Sequence, residues 1–194
     1  MLKIKQLASG IFAGLSLLSA PILANDYSTK GSYLTGSIGG SAIGDIDVSG
    51  VTSDIEFETG LGLDLGYGYD FGKTRVEGTW VRGQSDKTSW LGYTVKADST
   101  IDSIMGSIYY DFREDKQWSP FIGASLGATN VDFDGASDSG FSYGIGYGVS
   151  YKTSDQVEVF FKGQTLVIPE LTFGSTIIEN GNYTNGTVGV RIRF

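Results

Sequence analysis

The stretch Gly140 to Tyr151 reads GFSYGIGYGVSY and alternates two kinds of residue. Alternate residues of a strand point to opposite faces. One face would carry Phe141, Tyr143, Ile145, Tyr147, Val149 and Tyr151, and the other Gly140, Ser142, Gly144, Gly146, Gly148 and Ser150. A face of bare backbone is too small to form a packed core by itself. The pattern therefore predicts a strand that turns its large side chains toward lipid and its small ones into a narrow lumen.

Similar segments recur along the chain and are joined by connections of alternating length. The predicted strands are Ser32 to Ala42, Glu56 to Phe71, Arg75 to Gln84, Ser99 to Phe112, Trp118 to Thr129, Gly140 to Tyr151, Gln156 to Gln164 and Thr184 to Phe194. The long predicted loops are Gly44 to Asp54, Ser85 to Asp98, Asn130 to Ser139 and Thr165 to Asn182, and the turns near residues 72, 113 and 153 are short. An even number of strands with short turns on one rim and long loops on the other is typical of outer-membrane barrels. We predict an all-β fold, a closed eight-stranded antiparallel up-and-down transmembrane β-barrel. The first strand has glycine and serine at both parities, so its faces stay unassigned.

The amino terminus predicts a secretory signal peptide over residues 1–24, followed by the barrel domain over residues 25–194. Lys3 and Lys5 precede a short apolar run that ends near Ala24, and this run is too short to span a bilayer as a helix. Without those two lysines, twelve basic residues stand against 22 acidic ones. Such an acidic chain excludes an electrostatic nucleic-acid binder.

The tight turn at Gly72-Lys73 fixes a hairpin register that can be checked. It places Leu65 beside Trp80, Tyr67 beside Gly78 and Tyr69 beside Val76 on the outer face. We expect the Tyr67 ring to cover Gly78, as aromatic rings protect cross-strand glycines elsewhere. Aromatic residues at the short-turn ends of the strands predict a girdle at the membrane interface, formed by Tyr69, Phe71, Tyr110, Phe112, Trp118, Tyr151 and Phe194.

Charged residues on the predicted inner face are the first candidates for a functional site, and they are Glu56, Glu58, Asp64, Glu77, Glu158, Lys162, Arg191 and Arg193. The predicted lumen charge network consists of Glu77, Glu158, Lys162, Arg191 and Arg193. Charges in a filled lumen must be paired, and we expect Glu158 to pair with Arg191. The alternative is a narrow ion path gated by such pairs, but an eight-stranded interior is just wide enough for its own side chains.

The first long loop carries a weak metal candidate and no catalytic one. Asp45, Asp47, Ser49 and Glu56 approach the spacing of a calcium-binding loop, although the flanking helices are lacking. Chance acidity explains this spacing better, so we predict no metal site and no cofactor. The chain contains neither histidine nor cysteine, which removes the usual acid-base and thiol groups of enzymes. We predict that the protein is not an enzyme.

Three motifs resemble a known family. The segments YYDF (109–112), PFIGASLG (120–127) and VGVRIRF (188–194) are similar to those of the opacity-type, OmpA-like eight-stranded outer-membrane proteins of Gram-negative bacteria. The resemblance implies residence in the outer membrane as a monomer, in contact with its lipid and lipopolysaccharide. It also implies that the terminal Phe194 is the signal read by the barrel-assembly machinery.

These observations favour a structural or surface-interaction role through the extracellular loops, with a host or environmental surface ligand as partner. The runner-up is a porin-like narrow pore or a conduit for small hydrophobic ligands. A soluble, lipocalin-like binder shares the strand number but needs apolar residues inside. The charges opposite the apolar face argue against that third interpretation.

Overall fold

The computed structural model describes residues 30–43, 47–48, 56–57, 60–85, 88–90, 93–95, 99–112, 117–133, 136–173 and 176–194. Eight long strands dominate this part of the chain. They are β1 (Gly31–Ile43), β2 (Gly60–Asp70), β3 (Thr74–Ser85), β4 (Ser99–Asp111), β5 (Trp118–Phe133), β6 (Ala136–Lys152), β7 (Val157–Phe173) and β8 (Thr176–Arg193). The predicted signal peptide lies outside the described residues and stays a prediction.

The eight strands form one closed antiparallel barrel. Each pairs with the next along the chain, and β1 pairs with β8, from Tyr33 opposite Arg193 to Ile43 opposite Tyr183. Closure removes the unpaired edges that an open sheet exposes. The predicted fold class, a closed eight-stranded up-and-down barrel, is confirmed.

The two faces of the barrel differ as the alternation predicts. The outer face exposes large apolar side chains, including Leu65, Tyr67, Ile104, Ile108, Ile122, Leu126, Phe141, Tyr143, Ile145, Tyr147, Val188 and Ile192. The inner face holds buried polar and charged groups, among them Glu77 and Arg191. The open question of β1 is answered, because Tyr33, Ser37 and Ser41 are buried while Leu34 is exposed.

The register of the β2–β3 hairpin is confirmed, but one consequence drawn from it is wrong. Tyr67 does lie opposite Gly78, yet a Cβ built on Gly78 would meet only the Tyr67 carbonyl oxygen, at 4.0 Å. The Tyr67 hydroxyl instead donates to Ser32 Oγ at 2.9 Å, and its ring centroid lies 6.5 Å from that of Phe194. The ring turns toward the barrel seam and leaves Gly78 uncovered.

The aromatic girdle is present where the short turns meet the strands. Its rings associate in pairs on neighbouring outward positions: Tyr69 with Phe71 at 4.6 Å, Tyr110 with Phe112 at 5.0 Å, and Trp118 with Tyr151 at 4.7 Å between centroids. Phe194 is 70% exposed at the same rim. These rings mark one end of the apolar belt.

The predicted long loops are largely strand, which corrects the sequence interpretation. Most of the range 130–139 and of the range 165–182 belongs to the hairpins β5–β6 and β7–β8. The inner ends of these ranges continue the barrel wall, since Val131, Leu166 and Ile168 are buried. Farther from the membrane a hairpin needs no apolar face, so polar residues there do not exclude strand. Short strands also occur in the other two predicted loops, at Asp47–Val48, Thr88–Trp90 and Tyr93–Val95.

Two smaller expectations also fail. The predicted strand from Glu56 to Phe71 begins at Gly60, because Glu56–Phe57 is a separate short strand paired with β-structure at Thr88 and Ser89. Val157 has outward parity but is only 7% exposed. Val157 is the first residue of β7, and the backbone amides of Thr153 and Ser154 in the preceding turn both donate to its carbonyl oxygen.

No helix in the described part of the chain has the length and apolar character needed to cross a membrane.

Candidate functional site

The lumen next to the short-turn rim is organised around Glu158. Its carboxylate pairs with Arg191 and accepts from Arg193 Nη1 at 2.8 Å, while Arg193 Nη2 reaches Asp70 Oδ2 at 2.7 Å. Strands β7 and β8 set this geometry, because Glu158 lies directly opposite Arg191 in their register. All four groups are buried. They form a chain of charge-assisted bonds that ties β7 and β8 to β2.

A second charged cluster surrounds Arg75 on the opposite wall. Arg75 Nε donates to Asp111 Oδ2 at 2.7 Å, and Arg75 Nη1 lies 3.7 Å from Glu77 Oε2. Glu77 also accepts from the Tyr33 hydroxyl at 3.0 Å and from Thr79 at 2.9 Å. Because these residues come from β1, β3 and β4, the cluster connects strands that are not all neighbours.

Aromatic rings fill the space between the two clusters. The Arg75 guanidinium carbon lies 4.7 Å from the Tyr109 ring centroid and 5.1 Å from that of Phe121. The Arg191 guanidinium carbon lies 5.1 Å from the Tyr33 centroid and 5.3 Å from that of Phe160. Cations stacked on desolvated rings gain cation–π attraction. The large residues of one wall also occupy the space left by the glycines of another, as Tyr109 does beside Gly123 and Gly146.

The middle of the lumen is held by Asp64. Lys162 Nζ lies 2.8 Å from Asp64 Oδ2, Ser37 donates to the same oxygen at 2.9 Å, and Asn185 donates to Oδ1 at 3.1 Å. The carboxylate therefore bridges β1, β7 and β8 from its place on β2. Across the lumen, hydroxyl groups bond each other in a row, with Ser103 to Thr129 at 2.7 Å and Thr129 to Ser142 at 2.8 Å.

The lumen toward the long connections is closed by an apolar cluster. Its members are Val81, Ile101, Met105, Val131, Leu166, Ile168 and Tyr183, all at most 9% exposed. With this apolar layer above the charged and aromatic layers, side chains occupy the lumen at every level. The described interior is thus packed in the way expected of a small barrel.

The structure places all five predicted network residues, Glu77, Glu158, Lys162, Arg191 and Arg193, inside the lumen. Their direct ion pairs fall into three groups, and Tyr33 links two of them, because its ring stacks on Arg191 and its hydroxyl donates to Glu77. The three groups are Glu158 with the two arginines, Glu77 with Arg75, and Lys162 with Asp64. The predicted five-residue network omitted Asp64, which was an inner-face candidate, together with Asp70, Arg75 and Asp111. Their inward parity was the available signal. For Tyr33 parity gave no such signal, because the two faces of its strand could not be told apart from the sequence.

The weak metal candidate is divided between two sheets. Asp45 and Ser49 lie outside the described residues. Asp47 pairs with Glu179 of β8, whereas Glu56 pairs with Ser89 in a separate three-stranded sheet. Among the residues that the structure describes, no group of three or more acidic side chains is arranged to hold a metal ion.

Backbone pairing between β6 and β7 stops short of the rim of the long connections, and we call this unpaired part of the wall the cleft. Strands β6 and β7 pair from Lys152 opposite Glu158 up to Tyr143 opposite Val167. Above that rung, the described residues 136–142 of β6 and 168–173 of β7 are not paired with each other. Residues 168–173 keep only their pairing with 176–181 of β8, and we call this hairpin the β7–β8 arm. It extends six residues beyond Val167, or roughly 20 Å.

Comparisons with known proteins agree on the architecture. The family model described as outer membrane protein beta-barrel domain matches residues 10–194. Neisserial surface protein A has a similar structure, with a TM-score of 0.66 and 19% identity over 86% of this chain and 98% of that one. Outer membrane protein AlkL, solved in lipid bilayers, has a TM-score of 0.56 and 13% identity over 91% of this chain and 95% of that one. No curated protein matches the sequence. At these identities the likeness to the solved structures shows the fold alone.

Proposed function

Because the chain belongs to the outer membrane protein beta-barrel family and resides in the outer membrane, we propose that it acts at the cell surface through its long hairpins while its barrel stays closed. The short turns then face the periplasm and the long connections face the exterior. The observation that carries this proposal is the packed lumen. Paired charges, stacked rings and an apolar layer occupy it in succession.

The β7–β8 arm and the neighbouring β5–β6 hairpin supply the surface for such contacts. Family barrels need about ten residues per strand to cross the membrane, whereas β5 to β8 have 16, 17, 17 and 18 residues. The additional length lies at the exterior rim. In contrast to a mobile loop, a hairpin is already ordered, so binding a partner costs it less conformational entropy. A host or environmental surface is the class of partner that these projections fit.

The cleft supports a second candidate, the passage of small apolar ligands. Leu166 and Ile168 of the apolar cluster lie on β7 at the bottom of the cleft. On the outer side of β6, Phe141 and Tyr143 belong to the lipid-facing belt. Parting of β6 and β7 at this point would join the apolar cluster to the membrane. This candidate requires the cluster to open, whereas the proposed surface role does not.

Shortening the β7–β8 arm tests the surface role. The test compares how many cells stay attached to polystyrene, chitin and immobilised laminin. We expect more cells that produce the wild-type barrel than cells that lack it to be retained on at least one of these surfaces. Replacing residues 168–181 by Asn-Gly joins Val167 to its partner Asn182 through a two-residue turn, and should reduce retention to the level of cells without the barrel. The control Lys73→Gln changes the opposite rim and should keep retention at the wild-type level.

Uptake of an apolar dye by the same cells separates the two candidates. The surface role predicts that N-phenyl-1-naphthylamine enters cells with and without the barrel at equal rates. Faster entry with the barrel, together with unaltered retention on every surface, would replace the surface role by the passage role. Heat-modifiable gel mobility of each variant verifies that the barrel is folded.

A further inference from the structure

The lipid-facing surface contains a groove that the sequence pattern does not predict. It has a volume of about 630 Å³ and lies on the outside of β2, β3, β4 and β5. Its outward-facing lining consists of Tyr67, Tyr69, Val76, Gly78, Gly106, Ile108, Ala124 and Leu126. We call it the β2–β5 groove.

Two glycines opposite each other make the floor of this groove. Gly78 of β3 lies opposite Gly106 of β4. A Cβ on Gly106 would have its nearest neighbour at 3.8 Å, so side chains would fit there without a clash. At Gly163 the chain covers such a gap, since the Tyr147 ring lies 3.0 Å from a Cβ built there, whereas the single outward glycine Gly186 of β8 stays open. The β2–β5 groove stays open because Tyr67 turns away toward Ser32.

The surroundings of the groove point to an acyl chain as its occupant. Large apolar residues enclose the floor on the neighbouring rungs, with Val76 and Ile108 toward the periplasm and Ile104 toward the exterior. The groove lies within the apolar belt, just above the girdle ring Tyr69. An apolar groove at this depth forfeits dispersion contacts unless hydrocarbon fills it, and it offers water few polar partners.

The turn beneath the groove supplies positive charge at the level of lipid headgroups. Lys73 is exposed in the turn between β2 and β3, the two strands that form one wall of the groove. Ammonium groups form charge-assisted hydrogen bonds with phosphate. An acyl chain above and a phosphate below match a single glycerophospholipid of the periplasmic leaflet.

We propose that the β2–β5 groove binds one anionic glycerophospholipid of the periplasmic leaflet, with an acyl chain over Gly78 and Gly106 and the headgroup phosphate at Lys73. This site is independent of the proposed surface role, since it lies at the opposite end of the belt from the hairpins. It holds a lipid at a fixed position on a barrel that is otherwise wetted by exchanging lipids.

Photo-crosslinking in lipid nanodiscs tests the site. The probe is phosphatidylglycerol with a diazirine in the middle of one acyl chain, at a low fraction in unlabelled phosphatidylcholine. In the wild type we expect peptides from β3 and β4 to carry more crosslinks than peptides from β8. Gly106→Leu fills the groove and should lower those crosslinks about tenfold, the factor given by a loss of about 1.4 kcal/mol of binding free energy.

Two controls make the result decisive. Gly186→Leu adds the same side chain at an outward glycine of β8 with nothing within 4 Å of its Cβ, and should leave the β3 and β4 crosslinks unchanged. Lys73→Gln should lower crosslinks from the phosphatidylglycerol probe about twofold to fivefold and leave those from a phosphatidylcholine probe unchanged. Equal crosslinking of all strands, or an equal loss in Gly186→Leu, overturns the site. Equal loss for both probes in Lys73→Gln overturns its preference for anionic lipid.

Discussion

Glu158→Gln is expected to lower the free energy of unfolding by about 3–5 kcal/mol, the range for removing one partner of a buried ion pair. Glu158 is 3% exposed and pairs with both Arg191 and Arg193. The amide retains the shape of the side chain. It removes the negative charge that pairs with the buried guanidinium groups of Arg191 and Arg193. Unfolding by guanidinium chloride of the protein in phospholipid vesicles, monitored by tryptophan fluorescence, measures the change in the free energy of unfolding.

Asp102→Asn is the matched control for this variant. Asp102 pairs with Arg82 across β3 and β4 on the outer face, and the two side chains are 33% and 39% exposed. Half-exposed pairs contribute at most about 1 kcal/mol, so the control should stay within that value of the wild type. A Glu158→Gln barrel as stable as the control would mean that the lumen charges are hydrated and contribute little to stability.

Gly127→Ala is expected to destabilise the barrel by about 3 kcal/mol, at the upper end of the range for overpacking. Gly127 faces the lumen on β5, opposite Met105 of β4. A Cβ there would overlap the Ile104 carbonyl oxygen and lie 2.8 Å from Met105 Sδ. A backbone oxygen within a sheet cannot move aside as a flexible side chain does. The same vesicle titration reports the loss, and heat-modifiable gel mobility reports the folded fraction.

Gly106→Ala adds the same methyl group on the outer face of the neighbouring strand. Its Cβ would have no atom closer than 3.8 Å, so the free energy of unfolding should change by less than about 0.5 kcal/mol. If both alanine variants cost the same, the inner glycines would reflect local backbone preference rather than a filled lumen.

The alternation of large and small residues was sufficient to predict the barrel, its strand number and its two faces. This succeeds because lipid outside and a narrow lumen inside place opposite demands on successive residues of one strand. The charged residues of the lumen follow from the same parity, as Glu158 and Arg191 illustrate. Their grouping does not, since Asp70 meets Arg193 only through barrel closure, 123 positions away in sequence.

Three features fell outside what the sequence alone predicts, each for a physical reason. Polar composition suggested loops at residues 130–139 and 165–182, because a hairpin needs no apolar face beyond the membrane, and the few buried residues Val131, Leu166 and Ile168 did not form a long alternating pattern. The place of Tyr33 was open, because glycine and serine of β1 are compatible with either face. The β2–β5 groove was missed because the Tyr67 ring has two directions available, and its bond to Ser32 selects the one that uncovers Gly78.

Single-molecule recording in planar lipid bilayers tests the filled lumen most directly, with a large porin as the positive control for insertion and detection. The wild-type protein, shown by heat-modifiable mobility to be folded, is predicted to insert without producing steady current steps in 1 M KCl. Stable and reproducible steps from the folded wild type would contradict the account, because ions would then pass through the level at which Glu158 and Arg191 meet.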